Sequence, residues 1–199
     1  MLSSISPLGE RARSSRWWVT TAAYLLGSAA GGLALGAVAS LLGALVPEGV
    51  RGSSWSLGFV ALLLLVGLAY DSQRGRLDLP SWRRQVDEQW LTRYRGWVYG
   101  VGFGAQLGFG LVTIITSATT YAVVLLAALG GDLRVGLAIG ATFGVVRALP
   151  SLLMAGVEDR AALHTVFGRV ERWAKSARIV ARVTLGVAAA ALLAVAVGS

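Results

Sequence analysis

Arg147 is the residue whose type and position most directly indicate chemistry. It lies within residues 135–157, an apolar segment that contains no other ionised side chain. A charge near the centre of a membrane-spanning helix costs about 2.5 to 3.5 kcal/mol on insertion scales, so such residues are usually paired and functional. An arginine surrounded by acceptors without a counter-ion can hold an anion. The alternative is an arginine that hydrogen-bonds to a neighbouring helix and only locks the helices together.

The partners available to Arg147 are backbone carbonyls, including that of Val146, which Pro150 leaves free, and hydroxyl and amide side chains, because none of the long apolar segments contains a carboxylate. Most of these groups lie in one segment, residues 97–129. We predict a polar substrate pathway for a small anionic solute. Its lining residues would be Arg147, Gln106, Thr113, Thr116, Ser117, Thr120 and Tyr121.

Other chemistries find few suitable residues. The chain has no cysteine and a single histidine, His164, which excludes disulfides and thiolate sites and leaves few ligands for a metal. The segments also lack the serine–histidine pair or the two aspartates of intramembrane proteases. We therefore expect no catalytic residue, no metal and no cofactor. A lipid-modifying enzyme, the remaining enzymatic alternative, would depend on loop residues such as Asp71 or Asp159.

The composition indicates the elements that position Arg147. Of 199 residues, 55% are hydrophobic and 14% are charged, against about 25% charged in soluble domains. A hydrocarbon core of about 30 Å requires roughly 20 apolar residues per helix. We predict an all-α polytopic membrane bundle of about five transmembrane helices, with residues 1–16 as a cytoplasmic segment and residues 17–199 as one membrane domain. The predicted spans are 17–46, 54–70, 97–129, 135–157 and 179–198.

Two of these spans are too long for a simple crossing. At 1.5 Å per residue, residues 17–46 and 97–129 would reach about 45 and 50 Å as straight helices. Each must therefore protrude from the bilayer, kink or break within it. Gly31-Gly32 is the weak point of the first segment, and either Gly108-Phe-Gly110 or the hydroxyl-rich stretch from Thr113 to Tyr121 is that of the second.

The basic residues predict the orientation. Fifteen of the 18 lysines and arginines lie before the first span or in residues 74–95 and 160–182. The positive-inside rule then places the N-terminus in the cytoplasm, in a multi-pass protein of a bacterial-type plasma (inner) membrane. Because topology and contact with anionic lipid explain the net charge of +8, we expect a lipid bilayer as partner and no nucleic acid.

Glycines at four-residue spacing predict close helix packing. Residues four apart share a helix face, so a stripe of glycines lets another backbone approach closely. Packing within the chain is the main interpretation, and a homodimer or a partner in a membrane complex is the alternative. The predicted packing residues are Gly100, Gly104, Gly108, Gly136, Gly140 and Gly144.

The chain also divides into two related halves. Each half begins with an over-long, glycine-rich span, continues through a short loop and a second span, and then reaches a basic segment that contains tryptophan. These segments, residues 79–95 and 160–177, have apolar residues every three or four positions. We predict that both are amphipathic helices lying in the cytoplasmic headgroup plane.

The strings Gly102-Phe-Gly-Ala-Gln-Leu-Gly-Phe-Gly110 and Gly140-Ala-Thr-Phe-Gly-Val-Val-Arg147 resemble the small-residue spans of cytochrome c biogenesis (CcdA-type) membrane proteins, which are grouped with the lysine exporter superfamily. Thiol-carrying members need a cysteine in each of two spans, and this chain has none. The resemblance therefore implies the repeat architecture and a transport role without electron transfer. We predict a small transporter or permease-like membrane protein. The alternative is a non-transporting accessory or assembly subunit of a larger membrane complex.

Overall fold

The computed structural model describes residues 6–12, 16–73, 94–110 and 117–198. These residues form helices joined by turns and short connections, with no strand in the described ranges, so the predicted all-α class is confirmed. The α-helices are α1 (Pro7–Ala12), α2 (Trp17–Ala44), α3 (Glu48–Arg51), α4 (Ser54–Ser72), α5 (Gly96–Phe109), α6 (Thr119–Gly130), α7 (Leu133–Ala148) and α8 (Arg160–Gly198), and a 3₁₀ helix (Leu149–Met154) follows α7.

Four helical stretches are long and apolar enough to cross a membrane. They are Trp17–Ala44, Ser54–Ser72, Leu133–Met154 and Ala161–Gly198, and the apolar helix α6 is shorter. Large apolar side chains point outward from them, including Leu26, Trp55 and Val187. A surface of this kind is typical of contact with lipid or with another protein.

Helix α2 packs against α5 and α7 through glycine. A methyl group on Gly104 would collide with the carbonyl oxygen of Tyr24, and one on Gly140 would collide with that of Gly32. Contacts between α2 and α5 move to higher residue numbers in both helices together, so these helices are parallel. Between α2 and α7 the residue numbers rise in one helix as they fall in the other, so these helices are antiparallel. Backbones that touch directly leave no room for a side chain at these positions.

Helices α4, α6 and α8 pack through side chains instead. Their shared core contains Leu64 of α4, Ala122 of α6 and Leu185 of α8. Leu64 and Leu185 are both almost fully buried. Helix α6 also reaches α2, where a methyl group on Gly43 would collide with the carbonyl of Ala128. This helix therefore links the two packing regions.

The two over-long segments behave differently. Helix α2 continues without interruption through Gly31-Gly32, where neighbouring backbones cover both glycines. The segment 97–129 is instead divided, because α5 ends at Phe109 and α6 begins at Thr119. Gly110 ends α5 in the left-handed conformation, with φ of 71°, which glycine adopts without the steric cost of a Cβ.

Helix α8 joins two segments that were expected to be separate. Residues 160–177 and 179–198 form one continuous helix, so residues 160–177 are not a separate amphipathic helix. No glycine or proline lies between Gly168 and Gly186 to interrupt it. The other predicted amphipathic segment, 79–95, lies outside the described residues except for Tyr94 and Arg95.

Candidate functional site

Arg147 lies in the last turn of α7, beside the point where α5 ends. Its guanidinium carbon is 5.3 Å from the centroid of the Phe143 ring. A methyl group built on Gly110 would be 3.1 Å from Nη1 of Arg147 and 3.2 Å from Cγ2 of Thr120. Arg147 and Thr120 therefore meet at this glycine. A cation in the last turn also complements the negative end of the helix dipole.

The other residues of the predicted pathway lie in several places. The backbone carbonyl of Gln106 accepts the N–H of Gly110 at 3.3 Å. Ser117 contacts Asp71, and Tyr121 lines an apolar groove between α4 and α6. Thr113 and Thr116 lie outside the described residues.

A carboxylate considered above only as a loop residue of a lipid-modifying enzyme lies instead within a helix and contacts the start of α6. Asp71, in the last turn of α4, is 5% exposed. Its two oxygens accept the Ser117 hydroxyl at 2.6 Å and the Ala118 N–H at 3.1 Å. Because the first N–H groups of a helix lack intrahelical partners, a carboxylate there both satisfies a donor and complements the positive end of the dipole.

Arg182 of α8 completes this group, which we call the Asp71 cluster (Asp71, Ser117, Ala118 and Arg182). Its Nη2 donates to the backbone carbonyl of Asp71 at 2.6 Å, and carbonyls in the last turn of a helix likewise need outside partners. Its Nε is buried without a hydrogen-bond partner among the described residues. The cluster therefore joins the end of α4, the start of α6 and the middle of α8.

An arginine occupies the opposite end of α6. Nη1 of Arg51 donates to the carbonyls of Leu129 at 3.1 Å and Gly130 at 2.6 Å. Its Nε donates to the carbonyl of Val46 at 3.0 Å. Helix α6 thus has an acidic group at its positive end and a basic group at its negative end, the arrangement that stabilises a helix dipole.

A second buried carboxylate ties the N-terminal segment to the helices. Glu10 is fully buried and accepts hydrogen bonds from the hydroxyls of Thr20, at 2.9 Å, and Tyr99. The N–H of Leu8 donates to the carbonyl of Val157 at 3.1 Å. Glu10 and Leu8 therefore attach α1 to α2, α5 and the residue Val157. A buried carboxylate is costly unless it is hydrogen-bonded, and the two hydroxyls meet this need.

Reasoning from sequence did not identify the roles of Asp71, Arg182, Glu10 or Arg51. Each lies at an edge of an apolar segment or in a short polar stretch, where charged residues are common. One signal was available for Asp71, a single carboxylate that directly ends an apolar run of 19 residues. Its partners are 46, 47 and 111 positions away in sequence, so only the fold brings them together.

These features define an all-α protein with helices apolar enough to cross a membrane and with charged groups placed at helix ends. No family model and no solved structure matches the chain. Curated relatives do match. The methylamine utilization protein MauF of Methylophilus methylotrophus is 31% identical over 202 residues, which cover 96% of this chain and 67% of the relative. The chain therefore belongs to the MauF family.

Two further relatives carry the same name. MauF of Paracoccus versutus is 33% identical over 153 residues, covering 75% of this chain and 55% of that protein. MauF of Paracoccus denitrificans is 32% identical over 155 residues, covering 75% of this chain and 54% of the relative. The chain thus spans about half the length of the Paracoccus relatives that it matches.

The family membership corrects two predictions. The resemblance to CcdA-type and lysine exporter proteins is wrong, because the relatives are MauF proteins. The predicted transporter function, including the anionic solute, is wrong for the same reason, and the accessory alternative fits better. The resemblance depended on glycine-rich spans, and small residues serve helix packing in membrane proteins of any function.

Proposed function

We propose that this chain is a non-transporting accessory or assembly subunit of a membrane complex that serves methylamine utilization. The observation that carries the proposal is the match to MauF over 96% of the chain. The geometry supports it, because the buried carboxylates Asp71 and Glu10 hold helix ends and hydroxyls in place. The subunit has no catalytic activity of its own, and its partner is another protein of the same system.

The subunit lies in the bacterial plasma membrane with its N-terminus in the cytoplasm. The crossings are α2, α4, the α5–α6 pair, α7 with the following 3₁₀ helix, and the C-terminal half of α8. The four apolar helical stretches support this placement, as does the concentration of lysine and arginine in residues 11–16, 74–95 and 160–182. The two related halves each begin with a glycine-lined helix, α2 in one and α5 in the other, and these two are parallel.

A deletion strain tests the accessory role. In a bacterium that carries this chain, we expect deletion to abolish growth on methylamine and to leave growth on succinate unchanged. The full-length chain should restore growth and should co-purify with at least one other protein of the system in mild detergent. Unimpaired growth of the deletion strain on methylamine would contradict the proposal.

A matched pair of variants tests whether this role requires the glycine packing of α2 and α5. Gly104→Leu places a side chain against the Tyr24 carbonyl, whereas Gly58→Leu places one in open space on α4. We expect only Gly58→Leu to restore growth on methylamine. Restoration by both variants would show that the packing described here is not needed for the role.

A further inference from the structure

Two cavities lie next to each other where α4, α6 and α8 meet. The first, which we call the polar recess, has a volume of about 190 Å³ and is lined by Asp71, Ser117, Thr119, Arg178 and Arg182, among others. The second, which we call the apolar groove, has a volume of about 380 Å³, and its lining includes Val66, Gly67, Ala122 and Leu185. All three helices contribute to both cavities.

The two cavities follow one another along each helix. On α4 the groove is lined by residues up to Tyr70, and the recess begins at Asp71. On α8 the order is reversed along the chain, with Arg182 in the recess and Leu185 in the groove. The result is an amphipathic site with a polar end and an apolar end.

The polar end has an excess of positive charge. Arg178 and Arg182 are four residues apart and therefore share one face of α8. Asp71 is the acidic residue in the lining, and its carboxylate already accepts hydrogen bonds from Ser117 and Ala118. Within the described part of the chain, the exposed Arg178 side chain makes no ion pair, and Nε of Arg182 has no hydrogen-bond partner.

We propose that the recess and the groove together bind one anionic phospholipid, with its phosphate against Arg178 and Arg182 and one acyl chain in the groove. The proposal rests on the membrane placement given above, which puts Arg178 and Arg182 at the cytoplasmic leaflet, where anionic lipids are concentrated. Guanidinium groups form charge-assisted hydrogen bonds with phosphate, and the groove buries apolar surface of the chain. The lipid thereby holds α8 against α4 and α6.

Native mass spectrometry of the delipidated full-length protein tests the polar end. We expect one phosphatidylglycerol to bind at least about tenfold more tightly than phosphatidylcholine. Arg178→Gln should weaken phosphatidylglycerol binding by about tenfold, a loss consistent with charge-assisted contacts to phosphate. The matched control is Arg169→Gln, an exposed arginine of α8 outside the recess, and it should leave binding unchanged.

A second pair of variants tests the apolar end. Val66 lines the groove and is 46% exposed, whereas Leu62 of α4 is 56% exposed and is outside the groove lining. Val66→Trp fills the groove and should weaken lipid binding by at least about fivefold, as expected for lost burial of about 1 kcal/mol or more. Leu62→Trp should have no effect, and the exposure of both positions lets each variant fold.

Three results would overturn the proposal. Equal loss with Arg169→Gln and Arg178→Gln would indicate attraction by surface charge in general. Displacement of the lipid by inorganic phosphate would indicate a simple anion site. Unchanged lipid binding in Val66→Trp would exclude the groove as the site of the acyl chain. None of these results bears on growth on methylamine, so failure here is distinct from failure of the accessory role.

Discussion

The helices divide into two regions that pack by different means. In the glycine-packed region (α2, α5 and α7), backbone lies directly against backbone, as at Gly104 and Tyr24. In the leucine-packed region (α4, α6 and α8), side chains such as Leu64 and Leu185 interdigitate. At the glycine contacts no side chain lies between the two backbones and can yield, although Tyr99 and Phe103 are buried elsewhere in the same region. The side chains of the second region can adjust by rotamer changes. The two regions should therefore respond differently to mutation.

The largest effect is expected from a side chain introduced into the glycine-packed region. Gly104→Leu places a whole side chain between two backbones that already touch, and so forces α2 and α5 apart. Adding single methylene groups to a packed core already costs about 1 to 3 kcal/mol, so this larger insertion should cost more than any substitution below. We expect this variant to lose its folded state in mild detergent, measured by near-UV circular dichroism and size-exclusion chromatography. Gly58→Leu meets nothing within 4 Å and should fold normally. Equal behaviour of the two variants would contradict the comparison.

The leucine-packed region should show a graded response. Leu64 is 2% exposed, so Leu64→Ala leaves a cavity and should cost about 2 to 5 kcal/mol of unfolding free energy. Leu64→Met conserves volume and should cost less than about 1.5 kcal/mol. Thermal or denaturant unfolding of the two variants measures the difference. A Leu64→Met variant as unstable as Leu64→Ala would show that this region is as unyielding as the first.

A smaller effect is expected at the buried carboxylate that holds α1 against α2 and α5. Glu10→Ala leaves the hydroxyls of Thr20 and Tyr99 without this acceptor, and a buried unsatisfied polar group costs about 1 to 3 kcal/mol. Glu158→Ala removes an exposed ion pair with Arg11 and should change stability by less than about 1 kcal/mol. The comparison uses urea unfolding of both variants. A larger loss for Glu158→Ala would reverse our assignment.

The smallest effect is expected at the turn that joins the two regions. Asp132 precedes α7, and the N–H groups of Val135 and Arg134, at 3.0 and 2.7 Å, lower the pKa of its carboxyl below the usual 3.8. A lowered folded-state pKa stabilises the fold above the unfolded pKa, and this contribution disappears as the pH falls through the folded value. Asp132→Asn keeps a capping oxygen without the charge.

We therefore expect that lowering the pH from 6 to 3 reduces the melting temperature of wild type more than that of Asp132→Asn. Thermal unfolding at both pH values measures this shift. A shift in favour of wild type on acidification would show that the ionised carboxylate does not stabilise the turn.

Sequence alone was sufficient to predict the all-α class, because few structures other than helices suit long uncharged segments. The four-residue glycine spacing identified residues such as Gly104, since helical periodicity fixes which positions share a face. The same pattern could not show that Gly31 lies within an intact helix while Gly110 ends one, because that difference depends on which backbones cover each glycine.

The charged contacts were less accessible to prediction. Tyr99 lies 89 positions from Glu10, and Arg182 lies 111 positions from Asp71. No local pattern encodes such pairs. Arg147 was predicted as a pathway residue because it is the charged residue of an apolar segment, but that segment changes from α-helix to 3₁₀ helix after Ala148, two residues before Pro150. The arginine consequently lies in a last turn, a position that favours a cation for structural reasons.

The initial rate of methylamine uptake distinguishes the proposed accessory subunit from a transporter. Labelled methylamine would be supplied to wild-type cells, deletion cells and deletion cells that express this chain, with uptake measured before metabolism contributes. We predict equal initial rates in all three, although only the deletion cells fail to grow on methylamine. A loss of uptake in the deletion cells that the chain restores would contradict the account.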